Sequence, residues 1–187
     1  MGQIRVEKNV NGIAGLCVIE PAVHGDARGY FMETYNERDM REAGIDVHFV
    51  QDNQSKSSYG VIRGLHFQKG EHAQAKLVRV LQGSVLDVAV DLRAGSETYG
   101  KYVAVELSDV NNLQLFIPRG FAHGFSVLSR TAVFAYKCDN LYCKESEGGI
   151  DCSDPDLGID WQIPAEDRVL SEKDKLHPLF KDFKTCF

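Results

Sequence analysis

The chain has no apolar run of roughly eighteen residues, no Cys-X-X-Cys pair and no His-X-His pair. The first absence argues against a membrane-spanning helix. The opening stretch Met1-Gly2-Gln3-Ile4-Arg5-Val6-Glu7 has no signal-peptide core, so the expected location is the cytoplasm. Five cysteines (Cys17, Cys138, Cys143, Cys152 and Cys186) form an odd set that fits neither a disulfide framework nor a zinc knuckle, and they are read as reduced thiols without a functional role. The missing His-X-His removes the closely spaced ligand pair that a metal-binding barrel normally draws from one strand. His66 is followed two positions on by Gln68, and His72 sits beside Glu71 in a glycine-containing loop, so neither a metal nor another cofactor is expected. A basic excess is missing too. The net charge of -6 argues against a broad nucleic-acid surface, while a few local Arg and Lys can still hold a small anion in a cleft. Repeats, low-complexity tracts and linkers are absent, and 187 residues suffice for one domain spanning the whole chain, 1–187.

What is present is mostly apolar alternation of period two. Lys76 to Leu81 and Ser84 to Asp91 flank the two-residue break Gln82-Gly83, which reads as a tight hairpin. Further strands are expected at Tyr102 to Leu107, Leu113 to Ile117, Gly124 to Leu128 and Thr131 to Lys137. Breaks this short leave no room for crossover helices, so the sheet is antiparallel and the fold class all-β, a closed or sandwich-like barrel. One helix is expected from Glu37 to Ala43, capped by Asn36 and ended by Gly44, packed outside the barrel. Beyond Tyr142, Gly148-Gly149 and Asp154-Pro155-Asp156 predict turns and short helical pieces.

Two isolated histidines on apolar strands suit proton transfer, because the imidazole pKa lies nearest neutrality. In Pro118-Arg119-Gly120-Phe121-Ala122-His123, proline and glycine make a turn, after which His123, Phe125 and Val127 share one inward face. A hydrogen-bonded core histidine is the plainer reading of that position. In Arg63-Gly64-Leu65-His66, arginine and histidine have opposite parity and share a face only if Gly64 hosts a bulge or bend.

The blocks Gly25-Asp26-Ala27-Arg28-Gly29-Tyr30-Phe31-Met32-Glu33, Phe49-Val50-Gln51-Asp52-Asn53, Arg63 to Gln68, Pro118 to Phe125 and Leu170-Ser171-Glu172-Lys173-Asp174 run in order from about residue 16 to residue 180. Together they resemble the dTDP-4-dehydrorhamnose 3,5-epimerase family. That resemblance implies a jelly-roll, cupin-like barrel with a few short peripheral helices, and a homodimer that exchanges N-terminal strands. It implies metal-free epimerisation of a dTDP-linked 4-keto-6-deoxyhexose beside its C4 ketone. By motif match His66 resembles the general base, Asp174 its paired carboxylate, Tyr136 the acid on the opposite face of the sugar and Lys76 the cation near the C4 oxygen. His123 matches a second histidine of the site, and Arg63 and Arg28 match arginines at the substrate. Glu33, Gln51, Asn53, Glu147 and Lys173 match further binding positions, and Tyr142 the aromatic that stacks on the base. For Ser171-X-X-Asp174 a helix-capping pattern is the alternative reading.

Other readings are a metal-dependent cupin enzyme, which needs three or four converging ligands, and a non-catalytic sugar-nucleotide binding module, which needs no proton-transfer groups. Within the enzyme class, inversion at C3 or C5 alone is the alternative to inversion at both.

Overall fold

The computed structural model describes residues 3–187. Met1 and Gly2, with which the stretch read for a signal peptide begins, lie outside the described residues. The strands are β1 (Ile4–Lys8), β2 (Cys17–Pro21), β3 (Val23–Asp26), β4 (Gly29–Met32), β5 (Gln51–Ser58), β6 (Ile62–Gln68), β7 (Lys76–Gln82), β8 (Ser84–Asp91), β9 (Tyr102–Ser108), β10 (Gln114–Ile117), β11 (Phe121–Val127), β12 (Thr131–Cys138) and β13 (Glu147–Gly149), with helix α1 (Glu37–Glu42) between β4 and β5. They form a six-stranded sheet, β1-β2-β10-β7-β12-β5, facing a five-stranded sheet, β13-β6-β11-β8-β9, with β3-β4 as a separate hairpin. Every pairing within these sheets is antiparallel. The result is a cupin-like double-sheet roll.

The period-two pattern locates the strands but misjudges one connection. β7 and β8 do not pair across Gln82-Gly83: β7 lies between β10 and β12, and β8 between β11 and β9. Gly83, at φ +80°, instead carries the chain from one sheet to the other, where a Cβ would fall 2.2 Å from Thr131 O. Its N–H is taken by Asp109 Oδ2 at 2.9 Å, so the corner leaves that donor satisfied without a hairpin ladder. A short break between two apolar strands looks the same whether the chain folds back in one sheet or steps across the sandwich.

The helix is as expected. Asn36 Oδ1 accepts from the N–H groups of Arg38 and Asp39, and Gly44 at φ +84° closes a Schellman end through Gly44 N to Arg41 O (2.8 Å) and Ile45 N to Met40 O (2.8 Å). Met40 and Ile45 cover the outer face of the six-stranded sheet against Cys17, Ile19, Leu77 and Phe116.

Between the sheets lies the main core, with Val78, Val80, Leu115 and Phe134 from one side and Val85, Val103, Phe125 and Val127 from the other. β8 is buried along nearly its whole length because its outer residues Leu86, Val88 and Val90 are covered by the C-terminal segment, including Ile150, Leu157 and Trp161. Trp161 is fully buried and its Nε1–H donates to Cys152 O at 2.7 Å. Burying such a side chain with its donor satisfied stabilises by about 3–5 kcal/mol, judged by typical truncation costs. This anchor sets the path of the C-terminal segment. Ile62 N to Val169 O (3.0 Å) and Val169 N to Gly60 O (2.9 Å) then lay residues 169–174 beside β6.

The bulge needed at Gly64 is present. His66 pairs with His123 and Arg63 with Phe125, so β6 takes three steps where β11 takes two. Gly64, at φ +137°, absorbs the extra residue, and a Cβ on Gly124 would meet Arg63 O at 2.7 Å. Gly124→Ala should therefore cost about 1–3 kcal/mol of stability by overpacking backbone on backbone, measured by urea denaturation. A change within about 0.5 kcal/mol, the range of an ordinary surface substitution, would show that the close approach does not constrain the strands.

Candidate active site

A cleft of about 570 Å³ opens between the sheets at one end of the roll, within the roughly 300–1,000 Å³ typical of small-ligand sites. The bulge turns Arg63 and His66 of β6 into it, and Lys76, His123 and Tyr136 enter from β7, β11 and β12. β5 contributes the polar residues Asn53, Gln54 and Ser55, and its Asn53, Ser55 and Ser57 pair across from Tyr136, Phe134 and Ala132. Arg63 Nε donates to Ser57 Oγ at 3.0 Å, which fixes the guanidinium against this wall.

His66 Nε2 lies 2.6 Å from Asp174 Oδ1, and the carboxylate side chain is only 4% exposed. Burial alone would raise the Asp174 pKa, but the hydrogen bond and charge of His66 outweigh it and hold the carboxyl below its usual range. An ionised Asp174 accepts the Nε2 proton, leaving the imidazole lone pair on Nδ1. Asp174 N donates to Ser171 Oγ at 3.1 Å, at the start of the 3-10 turn Asp174–Leu176. Ser171 thus holds the backbone of Asp174 where its carboxylate meets His66, and the N-cap of the turn itself is Lys173, which makes no side-chain cap bond.

Tyr136 projects from the opposite sheet. Burial raises its pKa, so the phenol carries its proton at neutral pH. Lys76 Nζ is 5.8 Å from the Tyr136 ring centroid. Its pKa is lowered by burial, against the opposing pull of Cys138, Asp87 and Glu147. His123 Nε2 meets Asp87 Oδ1 at 2.9 Å with both groups buried. Burial pulls His123 down, so this pair carries a neutral ring.

Proton acceptor, proton donor and cation therefore converge on one space, without any two of them adjacent in the chain. The family model described as dTDP-4-dehydrorhamnose 3,5-epimerase matches residues 11–182. The chain belongs to this family. It is 54% identical over 162 residues to the dTDP-4-dehydrorhamnose 3,5-epimerase of Methanothermobacter thermautotrophicus, covering 86% of this chain and 87% of that protein. A crystal structure of the epimerase from Elizabethkingia anophelis superposes with a TM-score of 0.91 at 60% identity, covering 96% of this chain and 98% of the other. Another, from Legionella pneumophila in complex with dTDP-4-keto-L-rhamnose, gives a TM-score of 0.92 at 47% identity, covering 97% and 95%.

The family residues named from the motifs fall into three groups in space. His66, Asp174, Tyr136, Lys76, Arg63, His123, Asn53 and Lys173 line the cleft. Gln51, Tyr142 and Glu147 form its rim: Gln51 Oε1 accepts from Tyr142 N at 2.9 Å, Gln51 Nε2 donates to Asn53 Oδ1 at 3.1 Å, and Tyr142 O–H donates to Glu147 Oε2 at 2.9 Å. Lys173 Nζ pairs with the same Glu147, tying rim to cleft. Arg28 and Glu33 are not brought to this cleft. Arg28 is exposed on the β3-β4 hairpin and bonded to Asp26, while Glu33 accepts from Asn36 Nδ2 at 3.0 Å.

Side chains at or beside the site that were not singled out from sequence include Gln54, Ser55, Ser57, Asp87 and His177. Asp87 had a usable signal, a charged residue on the inward parity of the strand Val85 to Val90. Ser57 belongs to a strand with no apolar residue, Gln51–Ser58, which hydrophobic alternation cannot find.

Proposed function

We propose that this chain epimerises dTDP-4-dehydro-6-deoxy-D-glucose at C3 and C5 to dTDP-4-dehydro-L-rhamnose, on the route to dTDP-L-rhamnose, and acts as one cupin-like catalytic domain. One observation carries the mechanism: a carboxylate-backed imidazole and a protonated phenol face one cleft from opposite sheets.

The C4 ketone acidifies the hydrogens on C3 and C5. His66 Nδ1 takes one of them, the C–H electron pair moves into an enolate, and Asp174 stabilises the imidazolium that forms. Lys76 holds the charge on the C4 oxygen. Tyr136 then delivers a proton to the opposite face of the carbon, which inverts it, and solvent restores both groups. Arg63 and Lys173 supply positive charge for the diphosphate, with Arg63 presenting the planar fork that suits phosphate oxygens. Asn53, Gln51, Glu147 and His123 hold the polar edges of the ligand, and the half-exposed ring of Tyr142 stacks on thymine.

The test is turnover in deuterated water with deuterium mapped separately at C3 and C5. One solvent-derived deuterium at each carbon is expected. Incorporation at one carbon only would make the enzyme a mono-epimerase, and none at either would end the proposal.

The functional unit of this reading is a homodimer. An isolated two-stranded hairpin is marginal in water, yet β3-β4 presents Tyr30 and Phe31 at 64% and 70% exposure. A second copy that accepts this hairpin buries both rings and carries Arg28 and Glu33 toward its own substrate. The double variant Tyr30→Asp/Phe31→Asp should sediment as a monomer with KM raised about tenfold or more, the effect of losing one charge-assisted contact. A wild-type protein that sediments as a monomer at micromolar concentration would refute this unit. Five unpaired cysteines support a cytoplasmic location.

A further inference from the structure

Behind the His66 and Asp174 pair stands a third side chain that the proposed reaction does not use. His177 follows the 3-10 turn that begins at Asp174. Its Nε2 is buried without a hydrogen-bond partner, 3.6 Å from Asp174 Oδ1. Its ring packs edge-on against His66, with centroids 5.6 Å apart at 73°. On another side it presses on Gly149 of β13, where a Cβ would fall 2.4 Å from His177 Nε2. β13 thus has a glycine where the imidazole needs the space, and Gly149 is itself the ladder partner of His66.

A buried polar nitrogen without a partner costs about 1–3 kcal/mol. An apolar side chain in the same place would avoid that cost. The nitrogen is instead aimed at a carboxylate that already holds a second imidazole. His66 Nε2, Asp174 Oδ1 and His177 Nε2 all lie within 4.8 Å of one another. Two imidazoles and one carboxylate are a donor set for Zn2+ and its transition-metal neighbours, with metal-ligand bonds of about 2.0–2.2 Å. Ligand atoms around such an ion stand about 3.3 Å apart in tetrahedral geometry. Relative to that spacing the 2.6 Å pair has to open by about 0.7 Å and the 3.6 Å pair to close by about 0.3 Å, with the two imidazole nitrogens, now within 4.8 Å, drawn together by side-chain rotation.

We propose that His66, Asp174 and His177 form an inhibitory site for a divalent transition cation of the Zn2+ class. The ion takes the lone pair of His66 Nε2, and the neutral ring then carries its proton on Nδ1. That tautomer cannot accept a proton from the sugar, so metal and catalysis exclude each other. Only the inhibitory half of this inference rests on the reaction proposed above; ion binding does not.

Co2+ serves as the spectroscopic probe and Zn2+ as the inhibitor, with the full-length enzyme. Co2+ should bind at one equivalent with visible absorption of an N/O-ligated site, and Zn2+ should bleach that absorption. Epimerisation should fall with the same Zn2+ dependence and return on adding a chelator, while Mg2+ does neither. His177→Gln should turn over within threefold of wild type without metal, and should lose at least tenfold in both Co2+ affinity and Zn2+ inhibition. Equal Co2+ affinity in His177→Gln, a spectrum dominated by thiolate charge transfer, or no binding at submillimolar Co2+ would each overturn the site. Anomalous scattering from Zn2+-soaked crystals of the wild-type enzyme gives a readout that survives a poorly folding variant: density among the three residues supports the site, and zinc found elsewhere refutes it. Enzyme that binds Co2+ at this site but shows no epimerisation would refute the reaction and leave the metal site standing.

Discussion

His66→Ala should abolish solvent exchange at both C3 and C5, lowering kcat by about 10³-fold or more, in line with the usual 10²–10⁴-fold worth of a positioned base. A loss of 10³ corresponds to about 4 kcal/mol of barrier. Both carbons should suffer together, because one imidazole serves both abstractions. His123 stands directly across the strand pair but is not expected to substitute, since burial lowers its basicity and its side chain is 7% exposed against 31% for His66. Truncation also strands the buried Asp174 carboxylate, leaving the Ser171 side chain and His177 Nε2, at 3.6 Å, beside it. His66→Gln, which retains an N–H donor, is therefore the companion variant: comparable loss of exchange with near-native thermal unfolding would separate chemistry from stability. Unimpaired exchange in both variants would remove His66 from the role of base.

Tyr136→Phe should behave differently. It deletes one oxygen and leaves the ring, which packs against Phe134 at a centroid distance of 6.1 Å, so the cleft should keep its shape. Abstraction by His66 remains, and the enolate can be reprotonated from the side it came from. Substrate recovered from deuterated water should thus carry label while inverted product falls by about 10²–10⁴-fold. Lys76 remains to hold the enolate, and loss of the phenol makes no change on the His66 side of the cleft. Product formation at the wild-type rate would disprove the assignment, and loss of exchange together with inversion would mean that the phenol acts before the proton leaves carbon.

Much of the architecture was legible where side chains must alternate. The strands from Lys76 to Cys138 come out within a few residues of their apolar runs, and the helix ends fall at Asn36 and Gly44, where side-chain capping and a left-handed turn require them. Even the bulge followed from parity, since Arg63 and His66 reach one face only if Gly64 takes up an extra residue. β5 was not legible. Its inward residues line the cleft and are polar for that reason, so the signal that marks a core strand is missing where the ligand takes the place of the core. The Gln82-Gly83 corner was misread because pairing is a choice among distant partners, and nothing local distinguishes a turn within a sheet from a step between sheets.

The site divides along the same line. Residue types, motif order and backbone parity are local properties, and they sufficed for the all-β class and for the family resemblance, which in turn implied the pairing of His66 with Asp174. The 2.6 Å contact across 108 positions, the Asp87 that binds His123, the His177 held against Gly149 and the separation of Arg28 from the cleft depend on how two sheets and a C-terminal segment close on one another. Packing of Trp161 and the Val169 bridge carry the C-terminal segment that bears Asp174 and His177 to β6, and packing of that kind is a property of the folded chain rather than of any stretch of it.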